Sequence, residues 1–180
     1  MDSYGQDRIE MRHADRWLSV LRIVVGLWFL KSVRTKLGAT LAFGFLPLPT
    51  ASDRWVGFMP QRVLEYAETV RIGFYRDFLT EFVVPNSHVF AQMAAFGEAA
   101  IGLGLTFGLL TRPASVIGLA VMGNYLIATF WVGFCQQGFH LLLVTGMVAF
   151  FFAGAGRTWG LDRRLADRYP DSFLVRYRWI

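Results

Sequence analysis

Glu98 and Arg112 are the only formally charged residues between Val89 and Gly156. A carboxylate in so long an apolar stretch costs several kcal/mol unless it is paired, hydrated or protonated. Ala94 and Gly102, four residues to either side, lie on its face of a helix and leave room around it. Counting rise along ideal helices puts Glu98 about 18 Å from the cytoplasmic end of its segment and Trp28 about 16 Å. Asn124 and Thr145 fall at about 15 Å and His140 at about 22 Å, so these groups form one layer. Two readings follow. One is a proton-handling or quinone-binding pocket, with Glu98 catalytic and His140, Asn124 and Trp28 around the quinone. The other is a polar clasp between helices.

Arg22 is the second candidate for the catalytic pair. It lies one and a half turns inside the first apolar segment, where it either snorkels to lipid phosphates or reaches toward Glu98 across a depth difference of about 10 Å. His88 and His140 are the residue type that ligates haem, but nothing around them requires it. Cys135 is the single cysteine, which excludes an internal disulfide, a CxxC pair and a cysteine-rich metal site. No glycine-rich phosphate loop, zinc constellation or flavin fingerprint is present. Two-electron chemistry by this chain alone is therefore not expected, and no metal site is assigned.

The elements that must position these residues are apolar helices. The 180 residues are 54% hydrophobic with a mean hydropathy of +0.40, more than one soluble domain hides. Four segments are long enough to cross lipid or nearly so, over residues 17–33, 89–110, 114–134 and 138–155. The expected fold is all-α: an integral membrane four-helix bundle in one domain, with a tail over 157–180. Arg8, Arg12 and Arg16 before the first segment imitate a signal peptide. Lys31, Ser32, Val33 and Arg34 stand where a small-residue cleavage site belongs, so that helix is expected to be retained.

The insertion over 36–85 holds Pro47, Pro49 and Pro60, which forbid a continuous span there. From Arg62 to Phe82, Val63, Ala67, Val70, Phe74 and Phe78 recur at helical spacing among Glu65, Glu68, Arg71, Arg76 and Asp77. That pattern predicts an amphipathic interfacial helix over the bundle. Basic residues concentrate in both termini and at Arg112, while the long insertion carries the rest, so both termini are expected in the cytoplasm. The formal charge of +5 is then explained by lipid phosphates, not nucleic acid.

Several residues together resemble the DoxX/DoxD family of small four-helix membrane proteins. They are Arg22, Gly26, Phe29 and Lys36, then Gly97-Glu98, then Gly108 through Arg112, and finally Gly154-Ala-Gly156 and Gly160-Leu161-Asp162. The insertion after the first helix is longer than in a minimal member. The resemblance implies a subunit of a terminal quinol oxidase or thiosulfate:quinone oxidoreductase, with lipid and other membrane subunits as partners and Glu98 and Arg22 as site residues. The expectation is a subunit that contributes a mid-membrane quinone site or a docking surface. The alternative is a purely structural assembly subunit. A transporter ranks third, because inverted repeats and broken helices are missing.

Overall fold

The computed structural model describes residues 3–42, 46–177 and 179–180. A long first helix, α1 (Ser3–Lys36), contains no proline and ends on Arg34 and Lys36, cations that complement the negative end of the helix dipole. At 1.5 Å per residue it extends about 50 Å. Three further long helices follow the insertion: α4 (Ser87–Phe107), α5 (Thr111–Thr129) and α6 (Phe134–Ala153). Helix α1 packs mainly on α4, α4 on α5 and α5 on α6, and α1 also touches α6. Two of the helices, α4 and α6, are long and apolar enough to cross a membrane.

Close approach of α1 and α4 depends on one missing side chain. A Cβ on Gly26 would lie 2.5 Å from the Thr106 backbone nitrogen, so no larger residue fits without moving a helix. The two helices run antiparallel, with Leu30 against Gly102 and Ser32 beside Glu98. Phe29, Ile101, Leu105, Met122, Met147 and Phe150 fill the space between the helices. The outward faces are also apolar: Leu21, Val24 and Leu27 on α1, Met93 and Leu103 on α4, and Leu141, Leu142 and Phe152 on α6 are exposed. A surface of that kind suits lipid or a partner chain.

The insertion departs from the sequence-based expectation in two ways. It opens with an antiparallel hairpin, β1 (Leu37–Ala42) and β2 (Leu46–Ala51), in which Leu37 faces Ala51 and Thr40 faces Leu48. The fold is therefore mostly helical and not wholly so. The hairpin closes onto α1, because Ser52 donates its N–H to the Lys36 carbonyl at 2.8 Å and its hydroxyl to the Thr35 carbonyl at 2.9 Å.

The helix predicted from Arg62 to Phe82 is also not continuous. Helix α2 (Asp53–Thr69) starts on a Ser52 cap and stops at Val70, which is extended. Chain direction changes through Ile72, and helix α3 (Gly73–Asp77) then leads into a π-helical turn, Phe78–Val83. The physical reason is burial. The kink lets Val70 and Tyr75 enter one cluster with Met59, Ala67, Leu79 and Val83 against Ala91 of α4 and Ala128 of α5. A straight helix would present Val70 and Tyr75 to different faces. Two short helices, α7 (Leu161–Arg168) and α8 (Phe173–Arg176), complete the chain.

Candidate functional site

Glu98 sits mid-helix in α4 and is 3% exposed. Its charge is answered by residues from two other helices. Lys36, at the last turn of α1, places Nζ 2.6 Å from Oε1. Tyr125 of α5 donates its hydroxyl to the same oxygen at 3.0 Å. Ser32, one turn before Lys36, lies 2.6 Å from Oε2 and 2.7 Å from the Phe29 carbonyl. Ser32 and Lys36 are four apart and so share one face of α1.

The insertion closes this cluster from above. The Trp55 indole of α2 lies 4.3 Å from the Lys36 ammonium, and its Nε1–H donates to the Ala91 carbonyl at 3.1 Å. Gln92 accepts the Ala51 N–H at 2.7 Å, which ties β2 to α4 one and a half turns from Glu98. Below Lys36 is a cavity of about 170 Å³, lined by Glu98, Lys36, Tyr125, Trp28, Phe139 and His140 among others. His140 is 8% exposed and its Nδ1 is 2.9 Å from the Thr129 hydroxyl.

The sequence-predicted residues divide. Glu98, His140 and Trp28 come together at the cavity. Asn124 does not: it is exposed, and its backbone carbonyl accepts the Tyr75 hydroxyl at 3.3 Å. Thr145 is also exposed and turns its hydroxyl onto the Leu141 carbonyl of its own helix. Equal depth placed both residues at the right height on the wrong face.

Arg22 neither pairs with Glu98 nor snorkels to the surface. It is fully buried at the opposite end of the α1–α4 contact, where it donates to the Leu105 carbonyl and, at 3.2 Å, to the Trp159 carbonyl. Leu105 is in the last turn of α4, so this cation satisfies a carbonyl that the helix itself leaves orphaned. Asp162 does the converse at the start of α5. Its two oxygens accept the N–H groups of Leu110 at 2.6 Å and Thr111 at 3.0 Å, and its own N–H donates to the Gly108 carbonyl at 2.8 Å. The α4–α5 turn can be this tight because Gly108 adopts φ +61, a conformation that strains other residues. Leu110 is held at φ +50 by the Asp162 clamp.

Sequence reasoning missed Ser32 and Tyr125 and gave Lys36 no contact with Glu98. A signal was available: Ser32 and Lys36 are polar residues at i, i+4 on the helix that packs against α4. Tyr125 could not be separated from Asn124 without knowing which face of α5 points inward.

Residues 17–176 match the family described as TQO small subunit DoxD. The chain belongs to the DoxD family. Its Gly108–Arg112 and Gly160–Asp162 motifs are the two halves of the capped α4–α5 turn, and Lys36 and Glu98 are the ion pair at the cavity. No solved structure matches the chain.

Proposed function

We propose that this DoxD protein is a membrane subunit of a quinone-linked redox complex and that the cavity beside Glu98 receives the quinone ring. In this reading α1, α4, α5 and α6 form a four-helix membrane bundle with both termini in the cytoplasm, and α2 lies at the outer interface. The exposed apolar faces of α1, α4 and α6 suit lipid, and the family description supplies the thiosulfate:quinone oxidoreductase context. The observation that carries the reading is a buried carboxylate–ammonium pair opening onto an aromatic-walled cavity. Its volume fits a six-membered ring, since a cavity of roughly 150 Å³ holds benzene.

A quinone accepts two electrons and two protons, and the electrons come from a redox centre on another chain. What this chain contributes is position and protons. Trp28, Phe29 and Phe139 offer flat apolar walls, and His140 and Tyr125 offer polar atoms at the rim. Ser32 can hydrogen-bond Glu98 whether or not the carboxyl carries a proton. One hydroxyl proton cannot serve both the Phe29 carbonyl and Oε2. A proton on Oε2 lets Glu98 donate to Ser32 and Ser32 donate to the carbonyl, so both states of the carboxyl are hydrogen-bonded. Arg22 lies outside this cavity, and its role in the proposal is to hold the helix ends.

The test pairs binding with turnover in the complex purified with its partner chains. A photoreactive short-chain quinone should label peptides containing Trp28, Tyr125 or Phe139, and unlabelled quinone should suppress the labelling. Glu98→Gln should keep complex yield while quinone reduction falls by about a hundredfold, as for loss of a proton-transfer group. Full turnover in Glu98→Gln would leave the residue as a clasp between α1, α4 and α5, and the structural-subunit alternative would stand.

A further inference from the structure

At the other end of the helices, beyond Arg22, lies a wider cavity of about 810 Å³. Four guanidinium groups line it, Arg16 from α1, Arg157 before α7, and Arg163 and Arg164 from the first turn of α7. Asp15 is the single carboxylate in the lining among the described residues. Neighbouring acids do little to neutralise the cluster. Asp162 is buried, with both oxygens on the Leu110 and Thr111 N–H groups. Asp167 approaches only Arg163, at 3.9 Å and with both side chains largely exposed. Arg157 spends one nitrogen on the Ile180 carbonyl at 3.0 Å. Arg16 and Arg164 have no partner among the described residues.

The rim has different chemistry from the floor. Phe107 and Trp159 belong to the lining and are more than half exposed. Trp17, beside Arg16, is 72% exposed, and the exposed apolar face of α1 and α4 continues from there through Leu21 and Leu103. Uncommitted guanidinium groups next to an aromatic rim that opens onto an apolar surface match a ligand with an anionic phosphate head and a hydrocarbon tail. Guanidinium forks recognise phosphate oxygens in pairs, and indole rings settle at headgroup level.

We propose that this cavity is a binding site for an anionic phospholipid on the cytoplasmic side. The phosphate sits among Arg16, Arg157, Arg163 and Arg164, and an acyl chain runs along Phe107, Leu103 and Leu21. The proposal rests on the membrane reading above and not on the quinone site. Free phosphate would use the arginines and leave the rim unused. An acidic segment of a partner protein would use the arginines and need no acyl contact.

The test uses the full chain in detergent micelles, with native mass spectrometry of added phosphatidylglycerol, phosphatidylcholine and inorganic phosphate. Phosphatidylglycerol should half-saturate the protein at a concentration about tenfold below phosphatidylcholine, from the attraction of basic groups for anionic headgroups. The double variant Arg16→Gln/Arg164→Gln should abolish that preference, and Arg54→Gln/Arg71→Gln, on and beside α2, should leave it intact. Equal binding of the two lipids overturns the proposal, as does loss of preference in both variants alike. Displacement of phosphatidylglycerol by millimolar inorganic phosphate would reassign the cavity to a soluble anion. Displacement by a polyglutamate peptide would reassign it to a protein partner. A separate vesicle flotation keeps the two readings apart: failure to float with any vesicle refutes the membrane assignment, whereas flotation without lipid preference refutes only this site.

Discussion

Removing Lys36 should cost more than removing the charge it neutralises. In Lys36→Met, Glu98 keeps hydroxyl contacts from Ser32 and Tyr125 but loses the one cation that pairs with it among the described residues, while buried at 3% exposure in the native fold. A buried charge stripped of its partner typically costs about 3–5 kcal/mol. In Glu98→Gln the amide oxygen still accepts from Lys36 and Tyr125, and the stranded ammonium retains the Trp55 ring at 4.3 Å. Its side chain is also 16% exposed, so a loss of about 1–3 kcal/mol is expected, the range for a poorly satisfied buried group. The double variant Lys36→Met/Glu98→Gln buries no net charge. Its loss should fall short of the sum of the two single losses by a coupling of about 2 kcal/mol. Equilibrium unfolding in mixed micelles, titrated with a denaturing detergent, measures all three on one scale. Additive losses would refute the ion pair as an energetic unit, because partners in contact cannot be independent.

Three further outcomes follow from the same geometry. Gly26→Leu should separate α1 from α4 and destabilise the protein by about 3 kcal/mol or more, read as a lower midpoint in the same titration; an unchanged midpoint would contradict the 2.5 Å approach to Thr106. Asp162→Ala leaves two N–H groups at the start of α5 unanswered, for a loss of about 1–3 kcal/mol for each, whereas Asp162→Asn should cost less. Trp55→Leu should expose Lys36, so that an amine-acylating reagent labels it faster relative to Lys31, the other lysine of the chain, and an unchanged ratio in mass spectrometry would show that the indole does not shield it.

The parts of the molecule legible in the sequence were those governed by local pattern. Glu98 stood out because one carboxylate in a long apolar run has few explanations, and Pro85, Pro113 and Gly154 lie close to the ends of long helices. What was not legible depended on azimuth and on tertiary burial. Asn124 and Tyr125 are adjacent in α5, and helical depth ranks them equally; only the packing of α5 on α4 decides that Tyr125 faces Glu98. The segment from Arg62 to Phe82 kept a perfect 3.6 period through Val70, yet the chain breaks there because the cleft between α4 and α5 accepts Val70 and Tyr75 together. The hairpin was invisible for another reason. Its second strand carries Pro47 and Pro49, which local propensity assigns against strands, although a two-stranded hairpin has outer edges where proline withholds no needed donor.

The two buried charges nearest the motifs, Arg22 and Glu98, invite the same suspicion from sequence and differ once their surroundings are known. Arg22 lies at the C-terminal end of α4 and Asp162 at the N-terminal end of α5, each sign matched to the helix end it meets. Such charges have a structural task at the helix ends, and Arg22 is not in the lining of the Glu98 cavity. Glu98 is eleven residues from the start of α4 and nine from its end, so it caps nothing and no helix dipole favours it. An apolar pairing could join α1, α4 and α5 at lower desolvation cost. A mid-helix carboxylate held by Lys36, Ser32 and Tyr125 and bordering a ring-sized cavity therefore supports the proposed ligand site over a purely structural clasp.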